Sequence, residues 1–285
     1  MSTPLVYRNY TKTRLQTEHP ESRLFDFIHK HNKRPTSSFL NEPYHNKDLH
    51  FDREPCTVLN DFKNQLSLFK PDYLISCYNH YPVTKKLSVA LYFQKIMEYK
   101  DAQVFSIADF GAISPILAIE WSNISDSEVL LVCLEQISSP YDPLPRYPFA
   151  DAIAAFRITR RHSPLQILAY DYRNIPLYSD DSVQLHDWKL AEESIKMNNE
   201  ILSELNISLN NVTTIIQSYS KDYTIRMKQE NENLVFNSIK KNLSTADVFY
   251  SLETFLQTDT INTEYVLLNF VDFRGKIGCL VMEIC

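Results

Sequence analysis

Ser106-Ile107-Ala108-Asp109-Phe110, an apolar helical stretch, then Glu128-Val129-Leu130-Leu131: this order of residues comes twice in the chain. Its second occurrence is Ser244-Thr245-Ala246-Asp247-Val248, a helical stretch, then Glu264-Tyr265-Val266-Leu267-Leu268. Leu74-Ile75-Ser76-Cys77-Tyr78 pairs in the same way with Ile215-Ile216-Gln217-Ser218-Tyr219. The pairings share nearly one offset, about half the chain, whereas solenoid repeats recur every ~20–50 residues. A duplicated unit is the simplest source. Its runs of consecutive apolar residues predict strands buried on both faces, and helical patterns separate them. The fold class is therefore α/β, built of two α/β halves.

Outward from these stretches the elements follow the same alternation. Leu59, Phe62, Leu66 and Phe69 recur at helical spacing, and Lys70-Pro71-Asp72 breaks the pattern before the strand 73–78. A helix is expected over 84–97, a strand over 104–108, a turn at Asp109-Phe110-Gly111 and an apolar helix over 113–123. A strand over 128–133 and a proline-rich loop lead to a last strand at 152–158. In the second half, helix 188–205, strand 212–217, a further helix, helix 244–255 and strands 265–270 and 277–284 follow. The expected organisation is a divergent segment 1–55, a first half 56–158, a connecting segment 159–186 and a second half 187–285. Residues 1–55 are polar and weakly patterned, with a short helix expected near Leu24–Ile28.

Composition excludes several classes. The 285 residues carry a net charge of -6, are 44% hydrophobic and 22% charged, and read as globular. Mild acidity offers no electrostatic footprint for nucleic acid. The apolar runs fall short of the ~20 residues of a membrane span, and no secretion signal opens the chain, so a cytoplasmic setting is expected. Five cysteines without a CxxC pair argue against a zinc ribbon or a disulfide framework. Only three glycines are present, Gly111, Gly275 and Gly278, against about 7% in typical chains. Phosphate-cradling loops, dinucleotide fingerprints and glycine-rich oxyanion loops all need more, and no cofactor is expected.

Other constellations read more simply as structure. Cys77 and His80 could form a dyad, but close neighbours along one loop rarely reach the required geometry. Ser114 sits where a serine usually caps a helix. His45, Asp48 and His50 have loop spacing and no third-ligand pattern, so no metal is expected. Arg157, Arg160 and Arg161, with Lys240 and Lys241, read as solvated linker charges; as basic clusters they could also steer an acidic protein or a phosphate group. Cys133 and Cys279 lie in predicted strands as core residues.

Several segments together resemble the thiolase superfamily, a five-layered duplicated α/β fold, and within it the ketoacyl-acyl-carrier-protein synthase III branch. Phe105-Ser106-Ile107-Ala108 through Ile119-Glu120-Trp121 resembles the strand and the helix headed by the nucleophile. Val129 to Glu135 with Tyr141-Asp142-Pro143 is similar to the next strand and its Glu and Asp-Pro loop. Phe149-Ala150-Asp151-Ala152-Ile153-Ala154-Ala155-Phe156 resembles the family's FGDGAGA segment with its glycines replaced. The family's chemistry uses a Cys thiolate at a helix N-terminus, a His, an Asn and a glycine-rich oxyanion loop.

This chain departs at each point. The nucleophile position falls on Gly111, or on Ile113 if Gly111-Ala112-Ile113-Ser114 is laid on G-A-C-S. The His position falls at Ser218, and no histidine follows His186. Asn242 matches the Asn without its preceding Gly, and the glycine-rich loop has become Val271-Asp272-Phe273-Arg274-Gly275. Without a thiolate no acyl-enzyme forms by this route. The resemblance thus implies a non-catalytic subunit, like the inactive partner in alkylquinolone-forming heterodimers or a polyketide chain-length factor. Its implied partner is an active homologue, through which acyl carrier protein or acyl-CoA would be met. The family dimerises across the strand holding Val104, Phe105, Ser106 and Ile107. Residues 79–86, with Tyr81, Pro82, Val83 and Thr84, would shape the partner's acyl channel. Two other readings stay open: an acyltransferase or thioesterase using Ser218, Cys77 or Ser114, and a homodimeric acyl-binding protein.

Overall fold

The computed structural model describes residues 6–11, 69–79, 88–125, 127–135, 147, 149, 152–160, 163–176, 182–231, 233–237, 241–258 and 262–285. The predicted helices near 24–28 and 59–69, the His45-Asp48-His50 group, His80, Tyr81–Thr84, Arg161 and Lys240 lie outside them. Among the described residues ten strands form: β1 Val6–Thr11, β2 Tyr73–Cys77, β3 Gln103–Ile107, β4 Val129–Glu135, β5 Ala152–Thr159, β6 Leu165–Asn174, β7 Val212–Ile216, β8 Leu234–Val235, β9 Tyr265–Asp272 and β10 Lys276–Ile284. The helices among the described residues are α1 Val89–Met97, α2 Ser114–Ser125, α3 Val183–Glu204, α4 Lys221–Glu230 and α5 Asp247–Leu256. Serine hydroxyls start three of them. Ser88, Ser182 and Ser220 accept from Leu91, Leu185 and Tyr223 N–H at 3.3, 3.2 and 3.1 Å, each occupying a donor that the first turn leaves without a partner.

The strands hydrogen-bond in the order β3-β2-β4-β5-β1-β6-β10-β9-β7-β8. This is one five-strand mixed sheet written twice. In each, three parallel strands (β3-β2-β4 and β8-β7-β9) are followed by two antiparallel ones (β5-β1 and β10-β6). The sheets touch through a short ladder in which Val6 faces Gln166 and Tyr7 faces Leu165. Side chains alternate along β4 and β9, as a two-residue period demands. Val129, Leu131 and Cys133 face one core, while Leu130, Val132 and Leu134 face another. Val266, Leu268 and Phe270 share the first of these, and Leu267 and Val271 face a third.

Three cores between five layers result. α1 covers the first sheet, α2 and α5 lie between the sheets, and α3 and α4 cover the second. The expected five-layered, duplicated α/β architecture is present. The pairings behind it need correcting in register. Val129 and Val266 both face the central layer, so the sequence match of Glu128 with Glu264 is one residue out. Ile75 and Ile215 are true counterparts, which moves the Leu74–Ile215 match by one residue as well. Single-residue slips flip every side chain to the other face, which short identities cannot sense. Ser244–Ala246, a 3-10 turn before α5, corresponds to the 3-10 turn Gly111–Ile113 before α2, and not to residues 106–108.

Three further expectations change. The segment 159–186 carries the ten-residue strand β6, and the stretch 1–55 contributes β1, the matching strand of the first half. Polar residues interrupt both, so neither shows the consecutive apolar run that marks the other strands. Arg157 is no linker charge: it sits inside β5, with its guanidinium over the Phe69 ring at 5.0 Å.

Candidate functional site

The heads of the two central helices meet at the centre of the molecule. The turn Gly111–Ile113 packs on the end of β9, and the turn Ser244–Ala246 packs on the end of β4. Gly111 and Ser244 both hold left-handed backbone, with φ of 62° and 49°. The strand ends supply a carboxylate each. Asp272, the last residue of β9, accepts the Ala112 N–H on Oδ2 at 3.2 Å. Glu135, the last residue of β4, accepts the Thr245 N–H on Oε1 at 3.3 Å and the Thr245 hydroxyl at 2.7 Å. Each half thus caps the central helix of the other with a buried carboxylate, placed where helix-head amides and dipole favour negative charge.

Asp272 decides what the first helix head can hold. A Cβ on Gly111 would lie 1.9 Å from Asp272 Oδ2, 2.5 Å from its Cγ and 2.3 Å from Arg274 Nη2. No side chain of any kind fits there without displacing the pair. Asp272 is inaccessible to solvent and its charge is matched by Arg274, whose Nε donates to Oδ1 at 2.7 Å and whose Nη2 donates to Oδ2 at 3.1 Å. The hydrogen bond to Asp272 also holds the Arg274 guanidinium above its usual pKa. A tight hairpin aims both groups inward: Gly275, at φ 82°, donates its N–H to Asp272 O at 3.1 Å. The same Arg274 Nη2 reaches Asn79 Oδ1 at 2.7 Å, and Asn79 N–H donates to Glu135 Oε1 at 2.9 Å.

The second helix head is equally occupied. Asn242 Oδ1 accepts from Gln217 Nε2 at 3.1 Å and from Ser244 N–H at 2.8 Å. Gln217 Oε1 takes the Val271 N–H at 3.1 Å. Ser218 N–H donates to Asp247 Oδ1 at 2.8 Å, while its buried hydroxyl has no hydrogen-bond partner among the described residues. Asp247 Oδ2 accepts from Leu243 N–H at 2.8 Å and Asn237 Nδ2 at 2.9 Å. Burial outweighs these bonds and pushes the Asp247 carboxyl up to about 7.

The sequence-derived positions Gly111, Ser218 and Asn242 therefore come together at one place, linked through Asp272, Arg274, Asn79, Glu135, Thr245 and Asp247. Ile113 is fully buried in the central core. Ser114 is no N-cap: its hydroxyl donates to Gly111 O at 2.7 Å. Cys77 and Cys133 are fully buried register partners on β2 and β4. Burial drives the Cys133 thiol well above its ordinary range, away from a reactive thiolate. Among the described residues no group of three His, Cys, Asp or Glu side chains could hold a metal ion. Reading the sequence identified the loop 271–275 but not that Asp272 turns inward. Its signal is a strand-ending acid opposite a glycine that carries a positive φ, which only the packed halves reveal.

No protein-family model matches the chain, and no curated protein matches it in sequence. Solved structures do match. 3-Oxoacyl-(acyl carrier protein) synthase III from Pseudomonas aeruginosa PAO1 superposes with a TM-score of 0.72 at 12% identity, covering 98% of this chain and 98% of that one. The Aquifex aeolicus VF5 synthase III gives 0.63 at 17% identity over 75% of this chain and 77% of the other. AbyA1, a tetronic acid condensing enzyme, gives 0.69 at 10% identity over 96% and 100%. The fold is thus thiolase-like, of the ketosynthase III kind, and these structural neighbours are condensing enzymes.

Proposed function

We propose that this chain is a non-catalytic ketosynthase III-like subunit that pairs with an active condensing enzyme and shapes its acyl pocket. The reading places it in the cytoplasm, in fatty-acyl, polyketide or specialised-metabolite biosynthesis. One observation carries it: the helix head that would bear a nucleophile holds Gly111, and the space for any side chain there is filled by the Asp272–Arg274 pair. The remaining machinery is spent in the same way. Asn242 Oδ1 is tied to Gln217 and Ser244, and the position expected for a histidine is Ser218. Acyl carrier protein or acyl-CoA is met through the partner.

The partner-facing edge in this reading is β3, with Val104, Phe105, Ser106 and Ile107 half-buried at the end of the strand order. An edge strand offers unpaired backbone donors and acceptors to another strand. Beside it Phe105, Tyr73 and Trp121 pack edge to face at 5.5–6.3 Å, with Trp121 41% and Ile124 74% exposed. Aromatic anchors of this kind suit a protein interface. By the family resemblance, residues 79–86, including Tyr81, Pro82, Val83 and Thr84, would help shape the partner's acyl channel.

Coexpression with an intact Cys-His-Asn ketosynthase III-type homologue, followed by size exclusion, tests this. Co-elution and no mass shift of this chain after incubation with acyl-CoA are expected. A stoichiometric acyl adduct on the isolated chain would instead support an acyltransferase with a non-standard nucleophile. A stable homodimer that never co-elutes with the homologue would support a stand-alone acyl-binding protein.

A further inference from the structure

We infer that Cys77 and Cys133 are a latent disulfide, a redox-sensitive clamp that ties the end of β2 to β4 beside the second helix head. The inference is independent of the heterodimer reading above. The two residues are register partners on neighbouring parallel strands, and both side chains enter the central core. Neighbouring strands run about 4.8 Å apart, inside the ~4.4–6.8 Å that a disulfide spans between Cα atoms. Both residues are fully buried, and the two thiols hydrogen-bond to each other. Cys279 faces the third core and Cys285 is exposed, so neither lies beside them. The Thr245 hydroxyl donates to the Cys77 carbonyl at 3.4 Å and to Glu135 Oε1 at 2.7 Å. Glu135 ends the strand that carries Cys133. The strands that hold the head of α5 are therefore the strands that the bond joins.

The oxidant is a small disulfide such as oxidised glutathione. One cysteine thiolate attacks a sulfur of it and releases the first glutathione thiolate, leaving a mixed disulfide. The second cysteine thiolate attacks the protein sulfur of that mixed disulfide and releases the second glutathione. Two cysteine thiols are oxidised, one glutathione disulfide is reduced, and the two protons end on the glutathione thiols. Only a thiolate attacks, and burial holds Cys133 as the thiol in the folded chain. Exchange therefore runs while β2 and β4 pair, before the core closes over them. The same burial then shields the finished bond from reductant. A cross-link over the long stretch from Cys77 to Cys133 restricts the unfolded chain and so raises stability.

The test uses the full chain carrying C56S and C285S, which leaves Cys77, Cys133 and Cys279. It is refolded from urea with oxidised and reduced glutathione, or expressed in a host whose cytoplasm permits disulfides. The folded fraction is then denatured in iodoacetamide and weighed. The expected protein takes up one carboxamidomethyl group instead of three, and its digest holds a linked peptide pair joining Cys77 to Cys133. Its urea midpoint lies above that of the reduced protein, and dithiothreitol opens the bond about tenfold or more slowly in buffer than in urea. Adding C77S or C133S removes the linked pair. Three alkylated cysteines in the folded, oxidised protein, or a link to Cys279, overturn the inference. A linked pair without a rise in urea midpoint overturns the clamp.

Discussion

Asp272 and Gly111 claim a single volume: a methyl group on Gly111 would sit 1.9 Å from Asp272 Oδ2. The carboxylate is buried, paired with Arg274 and bonded to Ala112, so it cannot step aside without losing all three arrangements. G111A should therefore cost about 3 kcal/mol or more, adding steric displacement to the ~1–2 kcal/mol of left-handed backbone. In a D272A/R274A background the same change should cost only the backbone share. Urea midpoints of the four proteins give the coupling; simple additivity would show that the two sites do not compete.

A second buried pairing joins the outer helix to its sheet. Asn198 on α3 and Asn269 on β9 exchange reciprocal amide bonds at 2.8 and 2.7 Å. Replacing either by Leu strands the other amide in the core and should cost about 2–3 kcal/mol. The double Leu variant should cost less than the two single changes together, as read from thermal or denaturant unfolding.

Asp247 gives the fold a pH signature. Its carboxyl is raised to about 7 by burial, so between about pH 4 and pH 7 the folded chain binds a proton that the unfolded chain has released. Stability must fall as pH rises through that window and flatten above it. D247N lacks the titration. From pH 5 to pH 8 its stability should improve relative to the parent by about 2–3 kcal/mol, whatever constant cost the lost acceptor adds at both pH values. Parallel pH profiles of the two proteins would contradict the assignment.

The β3 edge makes an interface prediction that can be separated from folding. Phe105 is half-buried beside the exposed Trp121. F105R and W121A should each abolish or weaken co-elution with the active homologue by about tenfold or more. Their melting temperatures alone should move little, because the cluster borders solvent. Unchanged co-elution in both would remove β3 from the interface.

The sequence alone reached far into this protein. Its consecutive apolar runs declared strands covered on both faces, and its repeated order of elements declared two halves, since burial pattern is local information. That Gly111, Ile113 and Ser218 are neither cysteine nor histidine was equally legible, because residue identity needs no coordinates. Register was not. Val129 pairs with Val266 and Glu135 with Asp272 because each pair faces the central layer, and one residue of slip is invisible to short matches but reverses every side chain. The tertiary structure alone decided what occupies the first helix head. Asp272 and Ala112 lie 160 residues apart in sequence, and a carboxylate becomes a cap for a distant helix only when two sheets and two helices have packed around it.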